Sequence, residues 1–196
     1  MGTQQCDPGA DAGRVFALFG PTGVGKSEAA VALGERIQDE GGAAVIIAAD
    51  SMQVYSGLSR LSGAASADLQ ARVPHRLLGV VPVTETFSVG QYSPLAHQEI
   101  DGALERGVVP IVVGGTGLYL QAALTEMPLR PPLDPETIAA VESRLEVDGE
   151  KALRSELLNR SPAAAARISS GDHRRLVRAL ALLDEGHNLE DQAGGI

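Results

Sequence analysis

The feature that most restricts this chain is the run Gly20-Pro21-Thr22-Gly23-Val24-Gly25-Lys26-Ser27. It fits the pattern G-x-x-x-x-G-K-[ST] and follows the apolar stretch 15–19. After it, Ala29, Leu33 and Ile37 recur at i, i+4 and i+8. A short apolar stretch closed by glycine reads as a buried strand, and the recurrence reads as an amphipathic helix over 27–39. Strand, glycine loop and helix in that order let backbone N–H groups wrap a phosphate while the helix N-terminus adds partial positive charge. Lys26 supplies a full charge and is one of only two lysines present. Ser27 offers a hydroxyl to a Mg2+ ion that travels with phosphates. Residues 20–27 are therefore the candidate diphosphate- or nucleotide-binding residues, with Ser27 the candidate metal ligand. The motif names the group that is held and leaves open what is done with it.

Further apolar runs at 43–49 and 108–113 end at Asp50 and at Gly114-Gly115, and helical segments are expected over 91–106, interrupted early by Pro94, and from 118 to 124. Residues 75–81 suit a short strand, whereas 56–72 are rich in Ser, Ala and Gly and show no period. Strands alternating with helices predict an α/β fold with a parallel sheet. At 196 residues the chain suits one domain, or one with a small appendage. Prolines 128, 131, 132 and 135 mark a boundary, beyond which the pattern is all helical. Asp134-Pro135 and Ser161-Pro162 read as helix caps with Pro at the first helical position, and Asp172 can cap a last helix through Leu183. The predicted organisation is a disordered N-terminus at 1–13, an α/β core at 14–127, a helical segment at 128–184 and a disordered tail at 185–196.

Asp50 closes the second apolar run. In an open parallel sheet the C-terminal strand ends share one edge with the phosphate loop, so Asp50 is expected to face bound phosphates. There it could act as a general base or as a Mg2+ contact, and the same spacing also suits a structural helix N-cap. Gly114-Gly115-Thr116-Gly117 is a third strand end on that edge. Its glycines allow close approach of a ligand and Thr116 offers a hydroxyl; a simple packing turn is the other reading. The strand ends in glycine where an ATP-hydrolysing motor often carries an acid. His75 and His97 are isolated and are read as satisfied or surface residues.

Charge and composition exclude several classes. Sixteen basic against 25 acidic residues give a net charge of −9, so bulk attraction to nucleic acid is absent. Between Lys151 and Arg178, however, seven basic residues stand against two acidic ones. Arg174, Arg175 and Arg178 are spaced to share a helix face, and their forked guanidinium groups suit phosphate. With three Phe, three Tyr and no Trp, aromatic base-stacking platforms lack their residues. The single cysteine, Cys6, permits no internal disulfide or cysteine cluster and suits a reducing cytoplasm. No run approaches a membrane span, and the N-terminus does not resemble a signal peptide.

Taken in order, Gly20 to Ser27, Ala49-Asp50-Ser51-Met52-Gln53-Val54-Tyr55, Val73-Pro74-His75-Arg76-Leu77-Leu78, Val112-Val113-Gly114-Gly115-Thr116-Gly117-Leu118-Tyr119 and Arg174-Arg175-Leu176-Val177-Arg178-Ala179-Leu180 resemble the tRNA dimethylallyltransferase family across roughly residues 14–186. The resemblance implies a P-loop NTPase-like parallel sheet flanked by helices, with a small all-helical insertion. It implies transfer of a dimethylallyl group from dimethylallyl diphosphate to N6 of an adenine beside the anticodon, with Mg2+ as cofactor and tRNA as partner. The phosphate loop would then hold the prenyl diphosphate, Asp50 would accept the N6 proton, and Thr116 would help place both reactants. Asp50, Ser51, Met52 and Gln53 would contact the adenine, and Arg174, Arg175, Leu176, Val177 and Arg178 would meet tRNA. A soluble cytoplasmic monomer is expected.

The chain departs from the family pattern at Ser62, Ala64 and Gly79, where the family usually has Thr, Lys and Asp. Family chains also continue past the length of this one, which implies impairment by truncation. Two other readings share the loop: a small-molecule kinase with Asp50 as base for a hydroxyl, and a non-catalytic protein that binds diphosphate or RNA.

Overall fold

The computed structural model describes residues 13–58, 61–127, 130 and 132–189. The chain divides into two compact units, Met1–Glu126 and Met127–Ile196. The expected N-terminal tail 1–13 lies outside the described residues except for Gly13.

The first unit runs β1 (Phe16–Phe19), α1 (Lys26–Asp39), β2 (Ala44–Ala48), α2 (Ala67–Arg72), β3 (His75–Arg76), α3 (Val89–Glu105), β4 (Val109–Gly114) and α4 (Gly117–Leu124). Its four strands form one sheet in the order β1-β4-β2-β3, with every pairing parallel. Residues of β2 and β4 are buried throughout, which is why they read as unbroken apolar runs rather than alternating ones. Ala44 and Ile46 of β2 and Val109, Ile111 and Val113 of β4 pack with Ala30, Val31 and Ile37 of α1. The intervening residues point to the opposite face. Among the described residues β1 pairs only with β4, and Phe19 at its end is 63% exposed.

Local chemistry explains where the structure departs from the expected elements. Helix α3 starts at Val89 because Ser88 and Gln91 form a reciprocal capping box. Pro94 does not break it: the hydrogen bond it forfeits lies near the exposed start of the helix. Helix α2 went unforeseen because it buries no residue and so carries no apolar period. Its signal was a cap, Ser66 Oγ accepting from the Leu69 amide at 3.3 Å. Two hydrogen bonds of 2.7 Å from Arg72 to Glu35 tie α2 to α1.

The second unit is helical among its described residues: α5 (Pro135–Arg160), α6 (Pro162–Arg167) and α7 (His173–Asp184). The predicted caps Asp134, Ser161 and Asp172 all accept hydrogen bonds from the first turns of their helices. α5 is broken at Gly149, whose φ of 80° only glycine adopts readily. Leu153, Leu157, Leu176 and Leu180 form the core with Leu189. The expected disordered tail is thus ordered as far as Leu189, because an apolar side chain there completes the core and its carbonyl accepts from Arg167 at 2.9 Å. Residues 190–196 lie outside the described residues.

Candidate functional site

The strand register brings three chain segments to one edge. Phe19 stands opposite Gly114, and Ala48 stands opposite Val113, so β1, β2 and β4 end together. The phosphate loop, Asp50 and the Gly115-Thr116 turn leave the sheet there, as the alternation of strands and helices predicts.

Within the loop, Gly23 and Gly25 have φ of 83° and 87°. These left-handed conformations let successive N–H groups converge on an anion. No side chain caps the start of α1, so its first amides keep their donors for a ligand. Lys26 Nζ donates to the Pro21 carbonyl at 2.7 Å, which holds the ammonium over the loop.

Asp50 follows the fully buried Ala49. Its Oδ1 accepts the Met52 amide at 2.9 Å, forming a turn rather than capping a helix. The helix-cap alternative therefore does not hold, because residues 51–54 are turns. The other carboxylate oxygen turns toward the loop. A methyl group placed on Gly115 would lie 3.4 Å from Asp50 Oδ2, 3.4 Å from the Gly20 carbonyl oxygen and 3.8 Å from Lys26 Nζ. The Asp50 carboxylate and, from the phosphate loop, the Gly20 carbonyl and the Lys26 ammonium thus meet beside Gly115. Thr116 stands at the start of α4 but makes no side-chain cap there. Of the adenine-facing candidates, Met52 is exposed, while Gln53 Nε2 reaches the Ser62 carbonyl at 3.4 Å.

A tyrosine support under this edge was not foreseen. Tyr92 is fully buried and its hydroxyl donates to the Ala48 carbonyl at 3.0 Å. Its ring lies 4.7 Å from that of Tyr119. Burial pushes both phenols above the ordinary value, and the charge of Asp50 adds to the shift at Tyr119. Tyr55 accepts the Phe87 amide at 3.1 Å. Tyr55 and Tyr119 close two of the motif segments, but Tyr92 lies in none, and nothing in their spacing brings the three together.

His75 plays a structural part. Its Nδ1 lies 2.8 Å from the Val73 carbonyl, which can only accept, so Nδ1 carries the proton. Burial lowers its pKa, against an opposing contribution from that carbonyl. A lowered value favours the neutral ring, so the contribution to stability is present above the unfolded pKa of about 6.5 and is lost as pH falls through the folded one. Titration of the ring by NMR is expected to give a midpoint below 6.5, and a midpoint above it would show that the Val73 carbonyl outweighs burial. His97 lies with Val15 and Glu126 in a cleft near the start of β1, away from the phosphate-loop edge.

In the helical unit the basic segment is more structural than its charge suggests. Arg154 donates to the carbonyls of Ile168 and Ser169, Arg167 to that of Leu189, and Arg160 pairs with Glu156 and Asp184. Arg175 pairs with Asp172 at 3.4 Å. Leu176 and Val177 are buried in the core, so their side chains cannot meet RNA as expected. Arg174 is exposed and Arg178 partly so. Gly79, one of the departures from the family pattern, has φ of 64° and donates its amide to the Gln53 carbonyl at 2.8 Å.

Fold and site together define a P-loop NTPase-like α/β protein whose glycine-rich loop opens the first helix and whose Asp50 carboxylate stands beside Lys26 of that loop. Two family models match, one described as IPP transferase over residues 53–194 and one as isopentenyl transferase over residues 13–74. The chain belongs to the IPP transferase family. It is 40% identical to a tRNA dimethylallyltransferase of Desulfovibrio desulfuricans, covering 91% of this chain and 54% of that protein. The corresponding figures for one of Salinispora tropica are 42%, 88% and 52%. Two solved structures are also similar. A full-length tRNA isopentenylpyrophosphate transferase of Bacillus halodurans matches with TM-score 0.55 and 34% identity, over 87% of this chain and 55% of that one. A eukaryotic dimethylallyltransferase acting on tRNA matches with TM-score 0.69 and 26% identity, over 86% and 40%. The chain spans about half the length of the curated relatives it matches.

Proposed function

We propose that this chain transfers a dimethylallyl group from dimethylallyl diphosphate to N6 of an adenine beside the anticodon in tRNA. The observation that carries the reading is the meeting of Asp50 Oδ2 and Lys26 Nζ beside Gly115. In the proposed step the N6 lone pair attacks the allylic carbon, the carbon–oxygen bond breaks, and the diphosphate leaves with the bonding pair. Lys26 and the loop amides stabilise the charge that develops on the diphosphate. Asp50 takes the N6 proton, and the Thr116 hydroxyl helps hold the two reactants in line.

Mg2+ suits this donor set. It keeps much of its water shell and shares phosphate oxygens, so it needs no all-protein cage. Among the described residues no cluster of three His, Cys, Asp or Glu forms one. Ser27 and the diphosphate oxygens would hold the ion, and it would neutralise charge on the leaving group. To reach the cleft the adenine leaves its stack, where Asp50, Ser51, Met52 and Gln53 receive it. Arg174, Arg175 and Arg178 would contact tRNA phosphates. No helix among the described residues is long and apolar enough to cross a membrane. Action in the cytoplasm as a monomer belongs to the same proposal.

Incubating the chain with dimethylallyl diphosphate, Mg2+ and unmodified tRNA or AMP is expected to yield an N6 adduct detectable by mass; tRNA without adduct would refute the proposal. Lys26→Ala is expected to weaken diphosphate binding at least tenfold by calorimetry, since a charge-assisted phosphate contact is lost. The kinase reading instead requires ATP to bind in preference to dimethylallyl diphosphate, and the names of the relatives favour transfer to tRNA.

A further inference from the structure

The loop that leads into α7 is held by α5. Gly149 breaks α5 with φ 80° and ψ 165°, so Glu150 opens a new helical stretch beside that loop. Glu150 Oε1 accepts the Gly171 amide at 2.8 Å and the Ser170 hydroxyl at 3.3 Å. Glu150 Oε2 lies 3.0 Å from His173 Nε2. The Gly171 amide, and after it His173, hold this carboxyl below its ordinary value, so it is ionised at neutral pH. Arg154, at i+4 from Glu150, donates to the carbonyls of Ile168 and Ser169 at 2.7 and 3.0 Å. Residues 168–172 lie in no helix or strand, so these side chains supply much of what fixes their backbone. Asp172 then caps α7, and Arg174, Arg175 and Arg178 follow in its first turns. Leu176 and Leu180 bury the other face of that helix, while Arg174 stays exposed.

We infer that Glu150 is a positioning residue for tRNA: by fixing the 168–172 loop it presets the start of α7, so that Arg174 and Arg178 meet the phosphate backbone already in place. The inference rests on the function proposed above and adds to it a residue outside every motif of the sequence. By charge alone a carboxylate near these arginines opposes RNA. Its contribution to binding therefore comes through order. A loop that is loose in the free protein must be ordered when RNA binds, and that entropy is subtracted from the affinity. Arg175 is paired with the capping Asp172 at 3.4 Å, so the cap and the arginine face are set together.

The test uses the whole chain with unmodified tRNA as the probe, in filter binding at low salt. The unaltered protein is compared with Glu150→Ala, Glu150→Gln and Arg174→Ala, each followed by thermal melting and by hydrogen exchange at the Gly171 amide. Charge alone predicts tighter binding for both Glu150 variants, since each removes a repelling carboxylate. Positioning predicts the opposite sign for Glu150→Ala: tRNA binding weaker by about threefold or more, with faster exchange at Gly171. Glu150→Gln keeps an oxygen for the Gly171 amide and is expected to bind at least as tightly as the parent. Glu150→Ala that binds as tightly as the parent, while Arg174→Ala is weakened, would overturn the inference and leave the tRNA reading of α7 standing. No tRNA binding by the parent, or unchanged binding by Arg174→Ala, would overturn that reading and the inference with it. Glu150→Gln weakened as much as Glu150→Ala would also overturn the inference, because the hydrogen bond would then not be the cause. A Glu150→Ala protein that no longer melts cooperatively would do the same, because it would make Glu150 a requirement for folding.

Discussion

Asp50→Asn is expected to lower adenine transfer by about a hundredfold or more while diphosphate affinity stays within a few fold of the parent. Asn keeps the oxygen that accepts the Met52 amide, so the turn that aims residue 50 survives. What it removes is the basic lone pair that takes the N6 proton. Loss of a positioned general base costs about 10²- to 10⁴-fold, equivalent to about 3–5 kcal/mol of the barrier. Rates from quenched-flow sampling, beside calorimetry on the same preparation, separate proton removal from phosphate grip. Equal rates for Asn and Asp would remove the carboxylate from the chemistry. A parallel loss of affinity would make Asp50 part of the phosphate site instead.

The second large effect concerns stability. Gly114→Ala is expected to destabilise the first unit by about 3 kcal/mol or more, read as a lowered urea midpoint. Its methyl would sit 2.0 Å from the Ala49 carbonyl oxygen and 2.8 Å from the carbonyl carbon, so backbone rather than a yielding side chain must move. Both strands are buried throughout, and the Ala49 amide already bonds the Val113 carbonyl at 2.7 Å. Any shift of Ala49 carries Asp50 with it, so pyrophosphate affinity should fall even in conditions where the variant remains folded. An unchanged midpoint would mean that the strand ends yield more easily than close-packed backbone does.

The two substitutions fall on either side of what could be read from the chain. The phosphate loop was legible because a glycine pattern, a preceding apolar run and a following helix are all local in sequence, and local patterns specify local backbone. The positions of Asp50 and Thr116 were legible as strand ends, since in a parallel sheet the ends after β1, β2 and β4 share an edge. The caps at Asp134, Ser161 and Asp172 were equally local. α2 was not legible, because a helix that buries nothing leaves no periodic trace. The basic segment is not uniform in the structure. Charge counts cannot distinguish Arg154, folded onto two carbonyls, from Arg174, which faces solvent.

The sequence alone determined that this chain builds a parallel α/β unit around a glycine-rich loop between strand and helix, followed by helices with marked starts, because each of those features depends on neighbours a few residues apart. Only the tertiary structure decided that Gly114 packs against the Ala49 carbonyl while Gly115 lies beside Asp50 and Lys26. It also decided that the rings of Tyr92 and Tyr119 meet at a tilt and that Leu176, Val177 and Leu189 belong to a core. The reason is that such assignments depend on which atoms from distant segments arrive within a few ångströms, and strand register and helix packing set those approaches.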